Sequence, residues 1–307
     1  MKLIPKGVGS ILPSVNLPSS PLFGLSSYTY PWAVGVGREN PVEPMTARQL
    51  LEAANVLGAK RLQLADNLPA HRMTPRDWGS LIEAANESEI QLELGIRGLT
   101  SENLAVYLSL CGACQSPFLR VVIDSHGYEP GIDAIIRIIT AALPRLVEQG
   151  VVLAIENHDR FRAGSLVEII EATDADWVGI CLDTANSIGA DEGIYEVTEA
   201  LAPYTVNLHV KDYLIKRLPH AMGFEVVGRP AGLGQAPIPW ILEKLSKFGK
   251  CQSATLEVWS MPLETLHETI AQETRWAISG SEYLKSTLAV PAPTTNNKTT
   301  KTIIETV

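Results

Sequence analysis

Cysteine is scarce, four residues in 307, too few for disulfides to frame a chain of this length. Aromatic residues make up only 6 % of the sequence. No run approaches the ~20 uninterrupted apolar residues that a membrane helix requires. Positive charge is the minority sign: 25 Lys and Arg stand against 34 Asp and Glu, a formal net charge of −9 at pH 7. That balance speaks against nucleic acid or an anionic membrane as a partner, because phosphate binding draws on a cationic face. Residues 1–20 mix Lys, Pro, Ser and Asn and lack the apolar centre of a secretory signal. A cytoplasmic protein is expected.

What is present is a hydrophobic share of 46 % against 19 % charged residues, enough for a large buried core. Short apolar runs alternate with longer amphipathic ones from Pro21 to Leu288. Strands are expected near Phe23–Ser27, Arg61–Asp66, Gln91–Ile96, Leu119–Asp124, Val152–Asn157, Gly179–Asp183, Val206–Lys211 and Thr255–Val258. Helices are expected over Thr46–Leu57, Asp77–Glu87, Glu102–Leu110, Gly131–Glu148, Ser165–Ala172, Glu192–Leu201 and Ile238–Phe248, with a last one from Leu263 onward. Thr46 and Ser101 read as N-caps, Gly58 and Gly150 as stops, and Pro75 as a first-turn proline. Such strand-then-helix units, at this length, match the ~250 residues of a (β/α)8 barrel. A doubly wound open sheet is the competitor.

The side-chain period separates the two. Strands of an open parallel sheet are covered on both faces and read as continuous apolar runs. Here Leu153 and Ile155 share one face while Ala154, Glu156 and His158 share the other. Val206, Leu208 and Val210 likewise oppose Asn207, His209 and Lys211. One greasy face and one small or polar face suit a closed barrel whose interior becomes polar near its mouth. The expected fold is therefore α/β, a single-domain (β/α)8 TIM barrel over residues 21–288. Residues 1–20 form an N-terminal extension, either laid across the barrel bottom or loose. Residues 289–307 form a C-terminal tail, with Ile303, Ile304 and Val307 available to dock on a neighbour.

Four acidic or imidazole side chains fall at the C-terminal ends of strands with inward parity. They are Glu156 in L-A-I-E-N-H, Asp183 in G-I-C-L-D-T-A-N, His209 in V-N-L-H-V-K-D and Glu257 in T-L-E-V-W. Barrels of this kind carry their active sites on that face. Three carboxylates in a low-dielectric mouth repel one another unless a cation neutralises them. With one imidazole they make a shell for one divalent ion, Mn²⁺, Mg²⁺, Co²⁺ or Zn²⁺. Taken singly, each residue is better explained by an ordinary buried partner; the four together, at matching positions and parity, are not.

In these motifs the chain resembles the xylose-isomerase-like TIM-barrel superfamily, in particular its sugar-phosphate isomerase/epimerase branch. The resemblance runs from Leu22 to Leu288 and rests on E-N-H, D-T-x-N, H-V-K-D and the terminal L-E-V in that order. It implies that Glu156, Asp183, His209 and Glu257 bind one divalent metal and that Glu156 and Glu257 act as an acid/base pair. The substrate would be a small sugar or sugar phosphate. Its proton would be removed beside a carbonyl and returned to an ene-diolate by the glutamates. A dehydratase or lyase of a polyol or cyclitol using the same enolate step is the alternative, and a non-catalytic sugar-binding barrel is another. A homo-oligomer is compatible with the family. Related enzymes often carry His three residues after the aspartate; Asn186 stands there. An amide is a poor transition-metal ligand, which argues against a multi-zinc site and against DNA-cleaving relatives on the same fold.

Secondary candidates surround this set. His158 is read as contacting substrate hydroxyls or as orienting Glu156. Lys211 is read as binding substrate or as pairing with Asp212 or Glu156. Asn186 is a substrate hydrogen-bonding candidate. Arg229, beside Gly232 and Gly234, is read as an anion or hydroxyl clamp near a possible phosphate cradle, or as part of a plain turn. Tyr28, with Tyr30 and Trp32, is read as stacking on a sugar face or as packing. Glu93, Arg97, Arg120 and Asp124 have the parity for an interior ion-pair network. Cys111 and Cys114 in C-G-A-C read as plain thiols, since no second pair supplies a zinc site.

Overall fold

The computed structural model describes residues 20–36 and 40–290; the proposed docking residues of the tail and nearly all of the N-terminal extension lie outside the described residues. The chain runs β1 (Leu22–Ser26), α1 (Pro31–Val34), α2 (Ala47–Leu57), β2 (Arg61–Leu64), α3 (Pro75–Glu87), β3 (Gln91–Arg97), α4 (Ser101–Cys114), β4 (Phe118–Val122), α5 (Ile132–Gln149) and β5 (Val152–Glu156). It continues through α6 (Ala163–Glu171), β6 (Val178–Asp183), α7 (Ile194–Leu201), β7 (Thr205–Val210), β8 (Asp212–Arg217), β9 (Phe224–Arg229), α8 (Ile238–Ser246), β10 (Ser253–Leu256) and α9 (Leu266–Leu288). Strands β1 to β7 and β10 close into one barrel in the order β1-β10-β7-β6-β5-β4-β3-β2, every pair parallel. The fold is the expected (β/α)8 barrel, and the open sheet is ruled out.

Local chemistry sets the helix ends. Thr46 forms a capping box with Gln49 at the start of α2, and Thr265 does the same with Glu268 at α9. Pro75 occupies the first turn of α3 after Thr74, whose hydroxyl accepts from the Asp77 amide. Gly58 ends α2 in the left-handed region at φ 74°, where a β-carbon is disfavoured. The N-cap of α4 is Thr100, one residue before the expected Ser101: its side chain accepts from Asn103 N at 3.1 Å. The extended backbone of Thr100 places its hydroxyl toward the free amides, whereas Ser101 is already helical.

The alternation seen in the sequence becomes two layers. Outward residues such as Leu62, Leu92, Leu119, Leu153, Ile180 and Leu208 are fully or almost fully buried against helix residues including Leu50, Leu81, Leu108, Ile139, Leu166 and Ile241. Truncating one such leucine to Ala typically costs ~2–5 kcal/mol. Inward residues change character along the barrel axis. Phe118, Ala154 and Cys181 form a small apolar cluster toward its lower end, joined by Val206, which the strand period put on the outer face but which lies at the β-bulge where the β6–β7 register shifts between Ile180 and Cys181. Above it the interior carries Gln63, Arg120, Asn207, Thr255 and the candidate ligands, all buried.

One feature departs from expectation. The stretch between the seventh and last barrel strands, where no strand is expected from the sequence, contains the antiparallel hairpin β8–β9, paired from Asp212↔Arg229 to Arg217↔Phe224. Its outer half is exposed and charged, with Lys216 paired to Glu225 at 3.1 Å, which masks the strand pattern of Tyr213–Ile215 and Phe224–Val227. At its base Gly228 packs on the loop after β10: a β-carbon there would lie 1.5 Å from the Trp259 carbonyl oxygen.

Candidate active site

Glu156 ends β5, Asp183 ends β6, His209 is the penultimate residue of β7, and Glu257 follows β10 directly. Parallel register brings them level, with Asp183 paired to His209 and His209 to Thr255. All four are buried. His209 Nδ1 lies 3.3 Å from Glu156 Oε2, 3.3 Å from Glu257 Oε1 and 3.9 Å from Asp183 Oδ2. One ring nitrogen thus faces three carboxylates from three other strands.

The far side of the ring explains its orientation. His209 Nε2 is 2.8 Å from Gln63 Oε1. The Gln63 amide nitrogen in turn donates to Asn207 Oδ1 at 3.3 Å, and Asn207 Nδ2 meets Ser253 Oγ and Thr255 Oγ1 at 2.8 and 3.0 Å. This chain turns the Gln63 oxygen toward the ring, so Nε2 carries the hydrogen and Nδ1 points into the site. Gln63 was not a sequence candidate; its inward parity on β2 was the available signal.

The donor set fits a divalent cation. His209 Nδ1, Asp183 Oδ2 and Glu257 Oε2 are buried atoms that make no hydrogen bond among the described residues, and buried polar atoms are rarely left so. Asp183 Oδ1 is occupied by the Ala185 and Asn186 amides at 2.8 and 2.9 Å, which fixes its other oxygen toward the centre. Two overlapping groups of possible ligands emerge: Asp183, His209 and Glu257, and Glu156, Cys181 and His209. Cys181 is a weak member, since burial holds its thiol well above its ordinary pKa and its sulfur is 3.0 Å from Asn207 Oδ1.

Two cations of the chain itself enter the site. Arg120, buried on β4, donates through Nε to Glu156 Oε2 and through Nη1 to Asp66 Oδ1 at 2.7 Å. Gly95 opposite makes room for it: a β-carbon there would lie 3.1 Å from Arg120 Cδ. Lys211 Nζ lies 2.8 Å from Asp183 Oδ2 and 2.9 Å from Glu257 Oε2. These are ion-pair contacts without hydrogen-bond alignment. Burial opposes ionisation of Glu156, but Arg120 and then His209 outweigh it and hold its carboxyl well below the usual range. Burial likewise opposes ionisation of Glu257, and His209 and Lys211 lower it on balance.

The secondary candidates sort clearly. Asn186 donates to Glu156 Oε1 at 2.8 Å, and Lys211 pairs with Asp183 and Glu257 rather than with the expected Asp212 or Glu156. Tyr28 donates to Asp66 Oδ2 at 3.1 Å and lines a cavity of 560 Å³ above the site. Trp32, Asn186, Lys211, Val258 and Trp259 also line it. His158 lies between Asp159, at 3.1 Å, and Arg97, at 3.4 Å. No hydrogen bond joins it to Glu156 among the described residues. Arg229 is exposed at the end of β9 and is not among the cavity residues. The amides of Gly232, Gly234 and Ala236 beside it donate to the buried Asp212 carboxylate at 2.8, 2.9 and 3.0 Å, so these three are already used. The expected four-member interior network does not form. Arg120 takes Asp66 and Glu156, Arg97 takes Asp66, Asp124 takes Arg160, and Glu93 lies 3.8 Å from Arg61. Cys111 and Cys114 are buried free thiols.

The barrel has counterparts among known proteins. The chain is 28 % identical over 261 residues to 3-oxo-isoapionate decarboxylase of Pectobacterium atrosepticum, covering 85 % of this chain and 94 % of that one. Among solved structures it superposes on D-psicose 3-epimerase from Clostridium cellulolyticum H10 with D-tagatose, at TM-score 0.65 and 15 % identity over 87 % of this chain and 99 % of that one. It also superposes on a xylose isomerase domain protein from Planctomyces limnophilus, at TM-score 0.64 and 18 % identity over 88 % and 98 %. A xylose isomerase-like TIM barrel protein from Mycobacterium smegmatis in complex with magnesium gives TM-score 0.63 and 14 % identity over 88 % and 98 %. These likenesses at low identity establish the barrel. Residues 102–287, which carry all four converging side chains, match the family model described as xylose isomerase-like TIM barrel. By the closed parallel barrel and by that match together, the chain belongs to the xylose isomerase-like TIM-barrel family.

Proposed function

We propose that this protein is a divalent-metal-dependent sugar isomerase or epimerase that moves a proton at the carbon beside a substrate carbonyl. The observation that carries the reading is the position of His209 Nδ1, facing Glu156, Asp183 and Glu257 with its ring turned by Gln63. Those four residues would hold the ion, which when bound supplies Lewis-acid stabilisation of the charge that develops on the substrate oxygens. Glu257 is the favoured base. Its Oε1 accepts from Ser26 Oγ at 2.9 Å, while Oε2 makes no hydrogen bond among the described residues and is met by the Lys211 ammonium at 2.9 Å; this carboxylate would take the substrate proton and give it back. Such a positioned group contributes ~10²–10⁴ in rate. Asn186 and Arg120 hold Glu156 in place from both sides. Tyr28, Trp32 and Trp259 wall the cavity with rings suited to the apolar face of a small carbohydrate. Capture of the 232–236 amides by Asp212 favours an unphosphorylated substrate.

A second reading, a lyase, is favoured by the unequal state of the two glutamates. Both oxygens of Glu156 accept hydrogen bonds, which suits a fixed anion better than a proton carrier. Epimerisation draws on acids and bases on two faces, whereas loss of carbon dioxide from a 3-oxo acid needs one donor. The carbon–carboxylate bond breaks, its electron pair passes to the ketone as an enolate, carbon dioxide leaves, and one proton taken up from solvent and relayed through Glu257 reaches the carbon. The relation to a decarboxylase over most of both chains supports the same reading.

NMR in D₂O separates the two. The purified protein with Mn²⁺, offered aldoses, ketoses and 3-oxo sugar acids, should place deuterium at one substrate carbon. An intact carbon skeleton supports the isomerase or epimerase; release of carbon dioxide supports the lyase; no exchange on any member contradicts both.

A further inference from the structure

Lys211 and the divalent ion compete for the same oxygens. Lys211 Nζ contacts Asp183 Oδ2 and Glu257 Oε2 at 2.8 and 2.9 Å, and these two are among the atoms left without a hydrogen bond at the convergence point. Divalent metals sit about 2.0–2.6 Å from carboxylate oxygens. An ammonium and a doubly charged ion cannot both rest against this pair, since like charges a few ångström apart in a buried site repel strongly.

The lysine has somewhere to go. Its side chain is 17 % exposed while the aspartate and glutamate it touches are at 0 %, and it lines the 560 Å³ cavity along with Tyr28, Asp159 and Asn186. Among the described residues lining that cavity, Lys211 is the one cation. Arg120 is the other cation at the convergence point, and its guanidinium is held by Glu156 and Asp66 together, so it cannot yield in the same way.

We propose that Lys211 is a resident counter-ion which a divalent metal displaces, and that the displaced ammonium turns into the cavity to meet an anionic oxygen of the substrate. The inference rests on the metal-dependent reading above. In the metal-free protein the lysine keeps the carboxylates from repelling one another. With metal present, the same positive charge is moved a few ångström outward, to where substrate arrives. Metal loading and the readiness of the cavity for an anionic or polarised oxygen are thereby joined in one side chain, and metal should enter before substrate.

Two measurements test it. Mn²⁺ binding, followed by the electron paramagnetic resonance signal of free Mn²⁺, should be about ten-fold or more tighter in Lys211→Met than in the native protein, within the 10–100-fold range that groups flanking a metal site command. In the native protein, acetic anhydride labelling read by peptide mass spectrometry should modify Lys211 faster once Mn²⁺ is added. Equal or weaker Mn²⁺ binding by K211M, or labelling that is unchanged or slowed by Mn²⁺, overturns the displacement and leaves the metal-dependent reading standing. Mn²⁺ binding by K211M alone supports the competition and removes the metal-dependent reading of the native chain. No binding by either overturns both. The labelling uses unaltered protein, so a poorly folded variant does not remove the test.

Discussion

Gln63 Oε1 and His209 Nε2 meet at 2.8 Å across the barrel interior, from strands 146 residues apart in sequence. The contact decides which ring nitrogen faces the three carboxylates. Burial works against a charge on His209, but Glu257 and Glu156 outweigh it and raise its pKa, so ion binding at Nδ1 would displace a proton that the site otherwise attracts. Gln63→Leu removes the acceptor and frees the ring. The expected result is a loss of roughly 10–100-fold in Mn²⁺ affinity with the circular dichroism spectrum retained. Unchanged affinity would show that the amide does not orient the imidazole.

Glu257→Gln preserves size and the Ser26 contact while removing the proton carrier. Exchange of substrate hydrogen with solvent should fall by ~10²–10⁴, with Mn²⁺ still detectable in the protein. Deuterium incorporation at the native rate would assign the proton to another residue.

Glu273, on α9, accepts the backbone amides of Trp32 and Ala33 at 2.7 and 3.1 Å and so anchors the turn that carries Trp32 to the cavity. The Trp32 indole donates to the Ser260 carbonyl at 3.0 Å. Burial pushes the Glu273 carboxyl up to about 7, against the pull of those two amides, from an ordinary 4.5. Between these values the folded chain binds more protons than the unfolded one. The contribution is therefore fully present below pH 4.5 and is lost as pH rises through 7. Urea unfolding across pH 4 to 8 should show a decline that Glu273→Gln flattens by roughly 3 kcal/mol, at 1.36 kcal/mol per pKa unit. Parallel curves for the two proteins would contradict the assignment.

Gly228→Ala forces a β-carbon onto the Trp259 carbonyl, two residues beyond Glu257. Overpacking of this kind costs ~1–3 kcal/mol, so a lowered Tm is expected. Because backbone rather than a flexible side chain must move, substrate turnover should fall as well. A Tm equal to that of the native protein would show that the hairpin β8–β9 is free to lift away.

The barrel and the four converging side chains were legible because both follow from local pattern. Strand period assigns a face, as with Leu153 and Ile155 against Ala154 and Glu156, and a strand's C-terminal end assigns a height. What the sequence concealed depends on which neighbour a long side chain reaches. Arg120 was grouped with Glu93 and Asp124, yet its guanidinium spans from Asp66 to Glu156, a choice fixed by the space over Gly95. Asp212 follows the H-V-K motif as a possible partner of Lys211, but its carboxylate gathers the amides of the 232–236 loop instead. Parity placed Gln63 inward without indicating that it would face His209.

The most direct measurement is the anomalous difference map of a crystal soaked in Mn²⁺. A single peak bonded to His209 Nδ1 and to oxygens of Glu156, Asp183 and Glu257, and absent from Asp183→Ala crystals, is the predicted result. A mouth without such a peak at saturating Mn²⁺, or a peak held elsewhere in the chain, would contradict it.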